Sequence, residues 1–283
     1  MSARSSAWAL AMGALLLTPG AAWGDALQME YDYGLEAGEV EIGLLSYYTP
    51  ITGSQLLGRK DTYPAGTRSD FYESILDLRL QVVDRWTTVL RAPMQLSRYE
   101  DDEQIEYAWG PGDVEWANQI RVLGDREVES VQLGVGLKLP TGNQDLELGS
   151  GTTDLSGTLR IHQFFDPNVD TYLQLEYTQA ILGRPADARG GIFTHNGGIS
   201  LTLSHSLQVM VEALGKLQLA GDVPDGGGYR LELAPGVLYE LSYDTLYVAA
   251  SLIIPLIQSG DQAELYPIVA NLSLYLDLPL YGH

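Results

Sequence analysis

The sequence predicts an all-β protein, a transmembrane up-and-down antiparallel β-barrel of about twelve strands. Three observations carry that prediction. Hydrophobicity alternates with period two along nearly the whole chain after residue 38. The connections between the alternating segments are long and short by turns. Every charge inside those segments falls on one parity.

Composition narrows the field first. The chain has 283 residues, 31 glycines, 17 tyrosines, four phenylalanines and no cysteine. That balance is β-rich, and the length suffices for one closed barrel. The lack of cysteine removes disulfide scaffolds, thiol catalysis and thiolate metal sites. A formal charge of −21 argues against nucleic acid, since a polyanion needs a basic footprint to release counterions.

Residues 1–24 read as a secretory signal peptide. Arg4 is the only charge, Ala7 to Leu17 is apolar, Pro19-Gly20 breaks the run, and Ala22-Trp23-Gly24 offers small residues for cleavage. The competing reading, an N-terminal anchor, needs a longer apolar run to span. Residues 25–38 are then a short periplasmic segment and 39–283 the barrel. The longest later apolar run, Leu246 to Ile257, is twelve residues and contains Pro255, so no spanning helix is available.

The strands follow in order. Segment 39–48 puts Glu39, Glu41 and Gly43 on one side and Tyr48 on the other. In 71–83, Tyr72, Leu76, Leu78 and Leu80 oppose Glu73, Asp77, Arg79 and Gln81; in 86–97, Trp86, Leu90, Met94 and Leu96 oppose Arg91 and Gln95. Segment 112–123 carries Asp113, Glu115 and Arg121 on its polar side, and 130–139 sets Val131 to Leu139 against Gln132, Gly134, Gly136 and Lys138. Segments 153–164 and 170–180 turn Asp154, Arg160, His162 and Glu176 inward. The pattern of 192–204 is interrupted by His195-Asn196-Gly197-Gly198, while 207–218 and 228–240 resume it with Glu212, Lys216, Arg230 and Glu232. Segments 245–256 and 266–277 complete the set. Most are longer than the roughly 5–6 residues of soluble strands, and match the ~9–11 a tilted strand needs to cross a bilayer.

The short connections are Asp84-Arg85, Gly124 to Glu129, Phe165 to Val169, His205-Ser206 and Ser242 to Asp244. The long ones are 49–70, 98–111, 140–152, 181–191, 220–227 and 257–265. Short periplasmic turns and long outer loops are the pattern of bacterial outer-membrane barrels, and an even strand count leaves both chain ends on the short-turn side. Of the mature bases, Arg59, Lys60, Arg68, Arg85, Arg98, Arg126, Arg184 and Arg189 fall in connections; the rest fall on strands at the polar parity. A midplane Arg or Lys facing lipid costs ~2–4 kcal/mol, which accounts for that purity. Tyr48, Tyr72, Tyr177, Tyr229 and Tyr266 near the long loops, with Trp86 and Tyr239 near the short turns, form candidate interfacial girdles.

The polar parity defines a lumen lined by Asp77, Arg79, Arg91, Asp113, Glu115, Arg121, Lys138, Arg160, His162, Glu176, Glu212, Lys216, Arg230 and Glu232. Mixed sign points to paired charges rather than a single-sign selectivity ring. The turn at Asp84-Arg85 allows Arg91 to oppose Arg79 or Asp77, and like-charge repulsion favours Asp77. About eight strands leave room only for side chains and 16–18 leave an aqueous channel, so about twelve allow a narrow pore or a filled core. Small inward residues such as Gly134, Gly136, Ser156 and Thr158 leave free volume; Pro93, Pro235 and Pro255 imply bulges or kinks.

Gly110-Pro111-Gly112-Asp113-Val114, then Gly134 to Gly142 (GVGLKLPTG), then Leu148 to Asp154 (LGSGTTD), resemble recurring blocks of the MetA-pathway phenol-degradation family, and Ala234 to Tyr239 (APGVLY) is similar to a later one. The resemblance implies an outer-membrane barrel that passes aromatic or other hydrophobic compounds. There is also a remote likeness to the larger hydrocarbon-uptake channels, without their N-terminal Asn-Pro-Ala hatch.

No catalytic, cofactor or metal site is expected. A barrel acyl hydrolase needs an outward His with a nucleophile and an orienting group, and only His195 has the outward parity for one. Leu148 to Asp154 lacks the Gly-Lys-Ser/Thr ending of a phosphate loop, and Asp222 to Gly228 lacks calcium-ligand spacing. Glu100-Asp101-Asp102-Glu103 is a solvated run, with divalent cations among lipopolysaccharide phosphates as the sharper alternative. The expectation is therefore a monomeric outer-membrane channel, not an enzyme, for passive uptake or export of small organic, aromatic or hydrophobic solutes. Its partners would be outer-membrane lipid, lipopolysaccharide, those solutes and, during biogenesis, the barrel-assembly machinery. A closed structural or adhesive barrel, and an outer-membrane acyl hydrolase, are the alternatives.

Overall fold

A computed structural model describes residues 35, 37–52, 68–100, 105–125, 129–143, 146, 148–183, 190–219, 227–242, 245–260 and 268–279. The signal peptide expected at 1–24, most of the 25–38 segment, Tyr266, Asp101 to Glu103 and most of the 222–228 loop lie outside them.

The described residues form β1 (Glu39–Thr52), β2 (Arg68–Val83), β3 (Trp86–Glu100), β4 (Ile105–Pro111), β5 (Val114–Asp125), β6 (Glu129–Leu139), β7 (Thr153–Asp166), β8 (Val169–Leu182), β9 (Ile192–Ser204), β10 (Leu207–Gln218), β11 (Gly228–Ser242), β12 (Leu246–Gly260) and β13 (Val269–Pro279). Each pairs antiparallel with its neighbours, and β1 closes the circle on β13 from Glu39↔Pro279 to Tyr48↔Ala270. Twelve strands make the closed barrel; β4 is extra.

That extra strand revises the sequence reading, which placed 98–111 in a loop. The lower half of β3, Trp86–Arg91, pairs with β5, and its upper half, Met94–Glu100, pairs with β4. The exchange falls between Pro93 and Gly110-Pro111-Gly112, where prolines have no N–H for a ladder. Gly112 N–H bonds to the Pro93 carbonyl at 2.9 Å and fixes the fold-back. The other two prolines also mark irregularities. The β11–β12 ladder is interrupted beside Pro235, between Leu233↔Ile254 and Gly236↔Ser251, and shifts register next to Pro255. At the β5–β6 turn Gly124 has φ 81°, and a Cβ there would lie 1.9 Å from the Glu129 carbonyl oxygen, so only glycine fits.

The two faces have the expected chemistry. Leu44, Leu76, Leu90, Leu133 and Val135 point outward and are exposed, while Glu73, Asp77, Lys138, His162, Glu212 and Arg230 are buried inside. A water-soluble protein has the reverse arrangement; this one suits a lipid surround. One correction applies to the charges. β2 and β3 run further than the sequence indicated and bring Asp70 opposite Arg98, at the outward parity beyond Tyr72 and Leu96. Arg98 Nη1 donates to Asp70 Oδ2 at 3.3 Å and Nη2 to Glu100 at 2.6 Å, so Asp70, at the outward parity but buried, is compensated at the long-loop rim. Tyr48, stacked 4.7 Å from Tyr72, donates its hydroxyl to the same Asp70 at 2.9 Å.

The inside is not uniformly polar. Leu45 and Tyr47 of β1, Ile75 of β2, Leu214 of β10, Ile253 of β12 and Tyr275 of β13 belong to one buried apolar cluster. Fully burying such side chains stabilises by about 1.5–3 kcal/mol each, so one flank of the barrel has a packed core of its own.

Candidate functional site

The register of five adjacent strands builds a ladder of alternating sign. Asp77 on β2 opposes Arg91 on β3, Arg91 opposes Glu115 on β5, Glu115 opposes Lys138 on β6, and Lys138 opposes Asp154 on β7. Arg91 Nε lies 3.3 Å from Asp77 Oδ2, Arg79 Nη2 lies 3.0 Å from the same oxygen, and Lys138 Nζ lies 2.5 Å from Asp154. Arg79 Nε also reaches Glu41 at 3.4 Å. Across the barrel, Arg230 donates to Glu232 at 2.7 Å. Burying an ion is expensive unless an opposite charge and hydrogen bonds accompany it, and around Asp77 this wall supplies both.

Between the ladder and the apolar cluster lies a cavity of about 130 Å³. The room on the ladder side comes from Gly134, Gly136, Ser156 and Thr158, whose small side chains leave the β6–β7 wall low; Ile75, Ile192 and Leu214 face it. Its charged lining comprises the bases Arg79, Arg91, Lys138, Arg160 and Lys216 and the acids Glu115, Asp154, Glu176 and Glu232. A chain of formal charge −21 therefore encloses a nearly balanced chamber. Glu176 is oriented by the Thr158 and Thr178 hydroxyls, each 3.1 Å away. Arg160 sits 5.4 Å over the Tyr172 ring, a cation–π contact that ties charged and apolar walls together.

Other residues expected in the lumen do not line this cavity. Arg121 and His162 line a smaller pocket at the short-turn end, together with Leu35 of the N-terminal segment. Arg121 donates to the Asp84 carbonyl; His162 stands 3.9 Å from Asp170 and edge-on to Phe164. Glu212 is fully buried and accepts the Tyr172 hydroxyl at 2.6 Å. Asp113 has the inward parity but its carboxylate binds the 140–152 segment. It accepts Gly142 N–H at 3.0 Å, Ser150 N–H at 2.7 Å and Ser150 Oγ–H at 2.6 Å. Three of the Gly-rich sequence blocks thus converge on one point of the wall.

His195, the one site the sequence nominated for hydrolase chemistry, lies over Gly215, directly opposite it on β10. Its ring stacks on Tyr229 at 5.8 Å, and its Nε2 is 3.2 Å from the Tyr229 hydroxyl. The hydroxyl within reach of its Nε2 is this phenol.

No protein-family model matches the chain, and no curated protein sequence does. Among solved structures it is similar to the COG4313 outer membrane channel from Pseudomonas putida F1, at 13% identity and TM-score 0.71, covering 88% of this chain and 98% of that one. It is also similar to the NanC porin, at 10% identity and TM-score 0.52, covering 85% of this chain and 99% of that one. The chain has the fold of outer-membrane channel barrels.

Proposed function

We propose that this protein is a monomeric channel of the bacterial outer membrane that passes small organic solutes, aromatic or otherwise hydrophobic, down their gradients. The observation that carries the reading is the cavity inside a closed barrel, bounded by a neutralised charge ladder on one side and apolar side chains on the other. A compensated charged wall attracts no single ion strongly, while Ile75, Ile192 and Leu214 offer an apolar solute contact surface. The likeness to solved outer membrane channels supports the same class. Outer-membrane lipid and lipopolysaccharide would surround it, and the barrel-assembly machinery would insert it.

Incorporation of the purified, detergent-folded protein into planar bilayers tests the reading. Discrete conductance steps, and faster swelling of liposomes in small aromatic solutes than of protein-free liposomes, are expected. A second reading, a closed structural barrel, draws on the apolar cluster that fills one flank; complete electrical silence together with unchanged swelling would favour it and sink the channel.

A further inference from the structure

Residues 140–152 leave β6 just after Lys138 and return to β7 just before Asp154, the ion pair that lines the cavity. The segment's described limbs, 140–143 and 148–152, fold inward. Leu148 is 3% exposed, and its Cδ1 lies 3.0 Å from where a Cβ on Gly110 would stand on the inner side of β4. Its own two limbs touch closely: a Cβ on Gly142 would lie 2.5 Å from the Leu148 carbonyl oxygen and 2.6 Å from Gly149 Cα.

What ties this segment to the barrel is local and specific. Asp113, at the break between β4 and β5, takes three hydrogen bonds from Gly142 and Ser150. Thr141 Oγ1 donates to the Gly112 carbonyl at 3.0 Å and accepts Val114 N–H at 2.9 Å. Bonds to an ionised carboxylate are roughly twice as strong as neutral ones, so Asp113 supplies the larger share. All five bonds join the segment to the same three wall residues, 112–114, where β3 changes partner.

We propose that the two limbs 140–143 and 148–152 form a strap that closes the long-loop end of the cavity, and that Asp113 is the latch that holds it. The inference rests on the channel reading for its consequence but not for its geometry. Release of the latch swings the strap off the inner side of β4, exposes Leu148 and widens the mouth above the Lys138–Asp154 pair. Asp113 acts here as a positioning residue; it does not need to touch the solute.

The protein contains no cysteine, so Leu148→Cys gives a unique reporter. A bulky hydrophilic maleimide should modify L148C slowly, and should modify D113A/L148C at least about tenfold faster, the change produced by weakening the closed state by about 1.4 kcal/mol. Gly142→Ala in the L148C background should do the same by forcing the limbs apart, and it serves if D113A fails to give the heat-modifiable folded band. Equal labelling rates in all folded proteins would overturn the latch. In bilayers, D113A and G142A should show larger or longer openings than the parent. A conducting parent with unchanged variants overturns the gate alone, whereas silence of parent and variants alike, with fast labelling of D113A/L148C, overturns the channel and leaves the latch standing.

Discussion

Asp77 and Arg91 face each other directly across β2 and β3, with Arg91 Nε 3.3 Å from Asp77 Oδ2, and Arg79 closes on the same carboxylate from two residues away. One acid therefore answers two bases in the barrel interior. Asp77→Asn should take from both guanidinium groups the carboxylate they share, leaving Arg79 to Glu41 and Arg91 to its cross-strand neighbour Glu115, and destabilise the barrel by about 3 kcal/mol. Urea titration in detergent micelles, read by the folded and unfolded gel bands, measures it. Adding Arg91→Gln to D77N should recover part of that loss, because one of the two under-compensated bases is then gone.

The outward and inward faces should respond oppositely to the same side chain. Leu90 is outward and exposed near the middle of the β2–β3–β5 wall, so Leu90→Arg should cost about 2–4 kcal/mol in a bilayer. Ala117→Arg delivers its guanidinium to the cavity beside Glu115 and should cost clearly less. Unfolding from lipid vesicles of matched thickness gives both values, and equal costs would refute the assigned faces.

Cavity volume should control flux. Gly134 lines the cavity, and a Cβ there would meet Thr158 Cβ at 3.3 Å and the Asn118 carbonyl oxygen at 3.4 Å, so Gly134→Leu needs these neighbours to give by a few tenths of an ångström while its outer atoms fill the cavity. Conductance and solute-driven liposome swelling should fall several-fold while the folded band persists. Unchanged flux would mean that solutes do not use this cavity.

Ion preference should be weak and easily tilted. The lining bases and acids nearly cancel, so a potassium chloride gradient should give a reversal potential near zero in the parent. Glu176→Gln combined with Glu232→Gln removes two of the acids and should turn the channel toward anions. Reversal potentials before and after the change decide it.

Much of this architecture was legible because each strand face has only one parity to obey. The run Val131 to Leu139 names its own inner and outer residues, and repulsion alone chose Asp77 over Arg79 as the partner of Arg91. β4 was hidden by its shortness, yet Ile105, Tyr107 and Trp109 do alternate with Glu106, Ala108 and Gly110, and that was the available signal. The inner apolar cluster was obscured where both parities are apolar: Leu44-Leu45 and Ile253-Ile254 read the same from either side. Asp113 was placed on the correct face, but its partners lie 29 and 37 residues along the chain. Nothing local in the sequence distinguishes a carboxylate that lines a path from one that holds a loop.

The alternating ladder has a consequence for how the cylinder is put together. Strand β6 can slide against β5 only in steps of two if its greasy side is to stay outside, and one such step sets Glu115 opposite Gly136 or beyond the strand's end. Each incoming hairpin therefore meets a template that accepts one alignment, much as a key meets the wards of a lock. Correct assembly is written into the order of plus and minus from strand to strand.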